Sequence, residues 1–119
     1  MQASFERIHE QSRESFEVEV ASLDDLPLGS TLAFHREGRS YVLHHGEAGL
    51  ACLDGVCPHQ RGALTEFGEG GEFVTCSKNG CLRFRFDTRT GRCLQHPRVA
   101  VRAYPARIHG GRIVVDLRR

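Results

Sequence analysis

Short alternating runs of apolar and polar residues, separated by turn residues, fill this sequence from residue 16 onward and limit the folds it can adopt. The segment 16–21 (FEVEVA) alternates with the period of two that is typical of a half-buried β-strand. We count about eight short strands in all, with no long helix among them. The clearest runs lie at 31–35, 40–44, 49–53, 72–75, 83–87 and 112–116. This pattern indicates an all-β protein built as a small antiparallel sandwich or barrel.

Turn signals divide the chain without splitting it into separate domains. Residues 36–39 (REGR) predict a hairpin turn, and Thr90-Gly91 and Gly110-Gly111 predict tight turns. Residues 22–27 predict a short helical turn that Ser22 caps. Residues 1–15 are predicted to form a polar N-terminal arm, and residues 16–119 are predicted to form one domain, as suits a chain of 119 residues.

Charge and cysteine content narrow the classes of function. A formal net charge of +1 gives no reason to expect nucleic acid or an anionic membrane as a partner. No segment approaches the length of an apolar transmembrane span, and the first residues do not resemble a secretory signal, so the cytoplasm is the expected location. The 5 cysteines are an odd number, and in a reducing compartment they favour metal binding or redox chemistry over a disulfide framework.

Two cysteine-containing loops carry the residues with the most distinctive chemistry. The first loop contains Cys57-Pro58-His59, and the second begins at Cys76, 19 positions later. Thiolates are soft ligands for iron or zinc, and imidazole suits both metals. Pro58 fixes one φ angle and helps to hold the turn between the two donors. The residue types therefore predict a metal or iron–sulfur centre at these loops.

The spacing and the flanking residues resemble the Rieske ferredoxin family, whose pattern is Cys-x-His followed by Cys-x-x-His. Cys57, His59 and Cys76 match that pattern, and similar flanks occur at 54–64, 70–76, 86–91 and 101–105. The resemblance implies a Rieske-like sandwich or barrel with a two-loop subdomain that binds a [2Fe–2S] cluster. It also implies that Cys57 and Cys76 hold one iron and that His59 holds the outer iron.

The sequence departs from the family pattern at the second histidine, where it has Asn79. The second loop also has about three more residues than the family usually has. Cys81 is our prediction for the fourth ligand, because it is the nearest thiol and the longer loop could turn it inward. His96 and Asn79 are the alternatives, although an amide oxygen suits harder metals better than iron in a sulfide cluster.

The remaining cysteines and histidines receive plainer interpretations. Cys52 is predicted to pack in the core, and Cys93 could do the same. The other histidines are predicted to lie on the surface, namely His9, His35, His44, His45 and His109. Arginines and phenylalanines alternate at 83–86, which predicts a strand with one solvated face; a docking surface for an acidic partner is the second interpretation.

The resemblance implies an electron carrier that works between a reductase and a terminal oxygenase or other oxidoreductase. No catalytic motif appears in the sequence, so no small-molecule substrate and no turnover by the isolated chain are expected. Residues 59–64 lack the additional cysteine of high-potential Rieske proteins, which implies the low-potential branch. The alternatives are a clusterless structural or regulatory subunit, as in some nitrite reductases, and a mononuclear metal module.

Overall fold

The computed structural model describes residues 16–59, 61–77 and 84–118, which contain ten β-strands and no α-helix. Over those ranges, no helix has the length and apolar character required to cross a membrane. The first five strands are β1 (Glu17–Ser22), β2 (Thr31–Arg36), β3 (Arg39–Gly46), β4 (Gly49–Asp54) and β5 (Leu64–Phe67). The other five are β6 (Phe73–Cys76), β7 (Arg85–Asp87), β8 (Ala103–Tyr104), β9 (Ala106–His109) and β10 (Arg112–Asp116).

The strands form three antiparallel sheets. The central sheet has the order β2-β3-β4-β8, a second sheet has the order β1-β10-β9, and a small sheet has the order β5-β6-β7. The prediction of an all-β antiparallel fold is confirmed. The small sheet is the part of the fold that leads directly into both cysteine loops.

Strands β3 and β4 are buried on both faces of the central sheet. Val42 pairs with Leu53, and both belong to a core shared with the small sheet. The next pair, Leu43 and Cys52, belongs to the other core, shared with β1, β9 and β10. Successive side chains of a strand point to opposite faces of the sheet. Because each face of the central sheet is covered by a core, nearly every side chain in the middle of β3 and β4 is buried. The central sheet is therefore the scaffold on which the small sheet is mounted.

Most of the predicted local features are present. Ser22 precedes a 3-10 turn at Leu23–Asp25, and its hydroxyl accepts a hydrogen bond from the Asp24 amide at 3.2 Å. The hairpin turn lies between β2 and β3, as predicted. Three short strands were not predicted, namely β5, β8 and β9. The predicted N-terminal arm, residues 1–15, lies outside the described residues.

The prediction that His44 lies on the surface is wrong. Its side chain is buried, with 6% of the residue exposed, and its Nδ1 atom is 2.8 Å from the Thr31 hydroxyl. His45 is half-buried, with Nδ1 2.8 Å from the Leu26 carbonyl oxygen. The reason is that β3 has no solvated face, since a second sheet covers each side. His35 and His109 are exposed, as predicted, whereas His9 lies outside the described residues.

Candidate metal centre

The small sheet brings the two cysteine loops side by side. Leu64 is the register partner of Cys76 in the β5–β6 ladder, so the end of the first loop lies beside the start of the second. An isolated bridge between Val56 and Ala63 closes the first loop at its base. The amide and the hydroxyl of Ser77 both donate to the Ala63 carbonyl oxygen, at 3.1 Å and 2.9 Å. These contacts fix the position of one loop relative to the other.

Cys57 and Cys76 are both buried and belong to the same core cluster, with exposed fractions of 0% and 1%. The Cys57 amide donates to the Gly62 carbonyl oxygen at 2.8 Å, and the Arg61 amide donates to the Cys57 carbonyl oxygen at 2.7 Å. The Cys76 amide donates to the Phe84 carbonyl oxygen at 3.0 Å. Backbone hydrogen bonds thus hold both thiols in the interior, where water is excluded.

His59 occupies a different environment from the two cysteines, because it is exposed. Its ring lies 4.6 Å from the ring of Phe84, centroid to centroid, with 34° between the planes. The ring of His96 lies 6.2 Å from the same Phe84 ring. Phe84 is itself buried, so it forms an apolar support that contacts both histidines. The site therefore combines two buried thiols, Cys57 and Cys76, with the exposed imidazole of His59 in the first cysteine loop.

A third loop, residues 93–102, is tied to this end by side chains that the sequence analysis did not identify. Asp54 ends β4, and its carboxylate accepts from the Tyr104 hydroxyl at 2.6 Å and from the Arg102 amide at 3.0 Å. The side-chain oxygen of Gln95 accepts from the Arg85 amide at 2.9 Å. The sequence signals for this network are the family-like flanks at 54–64 and 101–105, which contain Asp54, Arg102 and Tyr104.

The candidates for the fourth ligand fall into two groups. Asn79 and Cys81 lie outside the described residues. His96 is exposed in the third loop, where its Nδ1 atom accepts from the Arg98 amide at 3.3 Å. It lies on the Phe84 side of the site.

The other two described cysteines have the environment of packing residues, as predicted. Cys52 and Cys93 are both buried. Burial, with a smaller contribution from the nearby Asp54 carboxylate, raises the pKa of Cys52 to about 12. A thiol with so high a pKa stays protonated, so Cys52 is a poor nucleophile and a poor metal ligand. The Cys93 thiol lies 3.7 Å from the side-chain oxygen of Gln95.

The donor types at this end of the molecule fit a cluster with two differently ligated irons. Two buried thiols suit an iron held in the interior, and the exposed imidazole of His59 suits an iron near the surface. Cys57, Cys76 and His59 thus fit three of the four ligand positions of a Rieske-type [2Fe–2S] cluster.

Comparisons with known proteins identify the family of the chain. The family model described as "Rieske [2Fe-2S] domain" matches residues 16–105. The ferredoxin component of the naphthalene 1,2-dioxygenase system of Pseudomonas aeruginosa is 30% identical over 102 residues, which cover 84% of this chain and 94% of that protein.

Two solved structures are similar to the fold. The ferredoxin of carbazole 1,9a-dioxygenase from Nocardioides aromaticivorans IC177 has a TM-score of 0.73 and 27% identity, covering 86% of this chain and 98% of that one. A putative NADH-dependent nitrite reductase small subunit from Mycobacterium tuberculosis has a TM-score of 0.63 and 28% identity, covering 83% and 92%. Since the family model spans more than half of the sequence and the fold agrees, this chain belongs to the Rieske [2Fe–2S] domain family.

Proposed function

We propose that this chain is the ferredoxin component of an oxygenase system, and that it passes single electrons from a reductase to a terminal oxygenase. The observation that carries the proposal is the joint placement of buried Cys57 and Cys76 in one core cluster, with exposed His59 at the same end of the molecule. A buried pair and an exposed donor suit a centre that is shielded on one side and accessible on the other. Two ferredoxins to which the chain is similar belong to dioxygenase systems.

The residues of the proposed site have different roles, either as iron ligands or as apolar side chains that exclude water. Cys57 and Cys76 would hold the inner iron, and His59 would hold the outer iron, from which an electron leaves. Phe84, Leu64 and Val74 exclude water from the inner side, because all three are buried in or beside the cysteine core. The bound cluster supplies the one-electron chemistry, and the protein supplies ligands, exclusion of water and a docking surface.

Four buried cysteines allow a matched test of the ligand assignment. Anaerobically purified wild-type protein should be brown, with about two irons and two acid-labile sulfides per chain. Cys57→Ser and Cys76→Ser should abolish the iron content and the visible absorbance. Cys52→Ser and Cys93→Ser replace equally buried thiols outside the ligand set and should retain the cluster. Loss of iron in the control variants alone, or a wild-type protein that stays empty after reconstitution, contradicts the proposal.

A clusterless subunit of a nitrite reductase is the second candidate function. It is favoured by the similarity to the putative nitrite reductase small subunit and by Asn79 at the position of the second histidine. The two functions differ in one measurement, because a structural subunit holds no iron. Colourless protein that remains empty after anaerobic reconstitution with iron and sulfide contradicts the electron-carrier function and favours the second.

The cytoplasm is the compartment that we propose for this carrier. Ligand cysteines must be present as thiolates, and glutathione and thioredoxin keep thiols reduced there. The chain can be expressed without an added N-terminal tag and the cells fractionated. We expect the chain in the same fraction as cytoplasmic marker proteins.

A further inference from the structure

The two cysteine loops carry basic side chains and no acidic ones. Residues 55–65 and 74–86, which contain these loops, include no aspartate or glutamate. The same two segments contain four basic residues, namely Arg61, Lys78, Arg83 and Arg85. The net charge of the whole chain is only +1. The sequence of the two loops is therefore more positive than that of the chain as a whole.

A surface groove of ≈ 620 Å³ runs along the first cysteine loop. Arg39 enters it from the β2–β3 hairpin and Arg61 from the loop itself, and both residues are exposed. Val56 and Pro58, also exposed, supply apolar surface between the two arginines. Buried Cys57 lies at the same wall, so the groove adjoins the proposed ligand set.

Arg39 and Arg61 are not among the arginines that form ion pairs in the described part of the chain. The ion pairs found among the described residues involve Arg107, Arg112 and Arg118, which lie on the sheet formed by β1, β9 and β10 or directly after it. Asp54 is the acidic residue that lines the groove, and its carboxylate oxygens accept hydrogen bonds from the Arg102 amide and the Tyr104 hydroxyl. These donors are neutral and leave the carboxylate charge in place. The groove lining thus contains two exposed arginines and one carboxylate, so positive charge is in excess.

Arg61 also has a backbone conformation that is unusual for a residue other than glycine. Its φ angle is 62°, in the left-handed region, and its amide hydrogen bond to Cys57 holds it there. Strained positions of this kind persist where the surrounding structure fixes them, and they concentrate at functional sites. The turn thus holds the Arg61 backbone in a defined position at the groove.

We propose that this groove docks an acidic face of a redox partner, with Arg39 and Arg61 forming ion pairs around the apolar contact at Val56 and Pro58. The proposal rests on the proposed electron-carrier function and adds the chemistry of the partner's surface. Opposite charges steer the encounter and fix the orientation of two proteins, and apolar contact excludes water at the centre. One electron would then leave the reduced protein beside the groove and reduce the partner by one electron.

The first test measures the sign of the field at the electron exit. Reduced protein is mixed in a stopped-flow instrument with an anionic oxidant, hexacyanoferrate(III), and with a cationic oxidant, tris(phenanthroline)cobalt(III), each taking one electron. We expect the anion to react faster at low salt and to slow as salt is added, and the cation to show the reverse. Arg39→Glu/Arg61→Glu should slow the anion reaction at low salt by about tenfold.

The matched control is Arg89→Glu/Arg92→Glu, which makes the same change in net charge at two exposed arginines outside the groove. This control should change the anion rate by less than about twofold, because Arg89 and Arg92 belong neither to the groove lining nor to the two cysteine loops. Equal effects of the two double variants, or a wild-type preference for the cation, overturns the proposal.

The second test works whether or not the protein holds a cluster. A fluorescent glutamate decapeptide is titrated with each protein and followed by anisotropy, with a lysine decapeptide and a single-stranded DNA 10-mer as comparison probes. We expect binding of the glutamate peptide that weakens at least about fivefold in Arg39→Glu/Arg61→Glu and is lost at high salt. No binding, equal loss in the control variant, or tighter binding of DNA overturns the proposal. The protein could prove to be iron-free and still bind the glutamate peptide through Arg39 and Arg61. That result overturns the electron-carrier function but supports an acidic partner at the groove.

Discussion

The imidazole of His44 lies parallel to the ring of Phe67, with 4.2 Å between the ring centroids and 5° between the planes. His44 belongs to β3 of the central sheet, and Phe67 ends β5 of the small sheet, so this stack joins the scaffold to the sheet that carries Cys76. Burial lowers the pKa of His44 below its usual value of 6.5, and the nearby His45 lowers it further. Folding therefore favours the neutral imidazole of His44 at this contact between the sheets.

We expect the free energy of unfolding to decrease on acidification, and His44 to cause part of the decrease. The unfolded chain binds a proton at His44 as the pH falls through 6.5, whereas the folded form resists protonation. The contribution of His44 is thus complete above that pH and is lost below it. Urea unfolding followed by circular dichroism at about pH 7.5 and 5.5 measures the change. His44→Gln can keep a hydrogen bond to Thr31 without titrating, and should show a smaller decrease; an equal decrease contradicts the assignment.

The hydrogen bond between Tyr104 and Asp54 should stabilise both the fold and the cluster. Tyr104→Phe removes a donor to a carboxylate and should cost about 1–2 kcal/mol in urea unfolding. It should also speed the loss of visible absorbance when an iron chelator is added, because Asp54 anchors the strand that enters the first cysteine loop. Tyr41→Phe is the matched control, since Tyr41 is equally buried and stacks edge-on against Tyr104. Equal chelation rates for the two variants would argue against an anchoring role.

Gly91 fixes the approach of the third loop to the site. Its φ angle is +80°, and its carbonyl oxygen accepts from the Val101 amide at 2.8 Å. A Cβ atom at this position would overlap the Val101 carbonyl oxygen. We expect Gly91→Ala to cost at least about 2 kcal/mol of unfolding free energy, from backbone strain and overlap together. Gly110→Ala is the control for strain alone, because its φ is +58° with open space around it, and it should cost about 1 kcal/mol; equal costs would show that the overlap is relieved.

Local patterns in the sequence predict most of the strands but not the packing of one sheet on another. The alternation at 16–21 became β1, and the hairpin at 36–39 joined β2 and β3. Strand β8 has two residues, and pairing of Tyr104 with distant Cys52 defines it. No local pattern predicts a pairing of this kind. The burial of His44 was missed for a related reason, because alternation cannot show that a second sheet covers the other face.

In the candidate site, too, local features can be predicted from the sequence, whereas contacts between distant residues cannot. Spacing and donor type predict Cys57, His59 and Cys76 as ligands, because ligand identity and loop length are local properties of the sequence, and the structure places Cys57 and Cys76 in one core cluster. The contact between Asp54 and Tyr104 spans 50 positions and depends on the pairing of β4 with β8. The role of Phe84 as a support for His59 and His96 depends on how three loops meet. Such contacts depend on the tertiary fold, and no local sequence pattern indicates them.

The identity of the fourth ligand can be decided by three single substitutions. We expect Cys81→Ser to lose the cluster or to change its electron paramagnetic resonance spectrum, because a third thiolate is the strongest donor that the sequence offers near Cys76. Asn79→Ala should leave the spectrum unchanged, since an amide oxygen is a weak ligand for iron in a sulfide cluster. Iron and sulfide content, measured beside the spectrum, separates loss of the cluster from altered ligation.

The third substitution, His96→Ala, tests the alternative that the fourth ligand comes from the third loop. His96 lies in the third loop and approaches Phe84, which also contacts His59, so this loop is the second possible source of the fourth ligand. If His96→Ala empties the site while Cys81→Ser keeps a full cluster, the fourth ligand comes from the third loop and the assignment to Cys81 is wrong. A ligand set of three thiolates and one imidazole carries more negative charge than two of each, which favours the oxidised cluster. The wild-type potential should therefore lie below that of a two-histidine centre, and a potential at or above that range would also exclude Cys81.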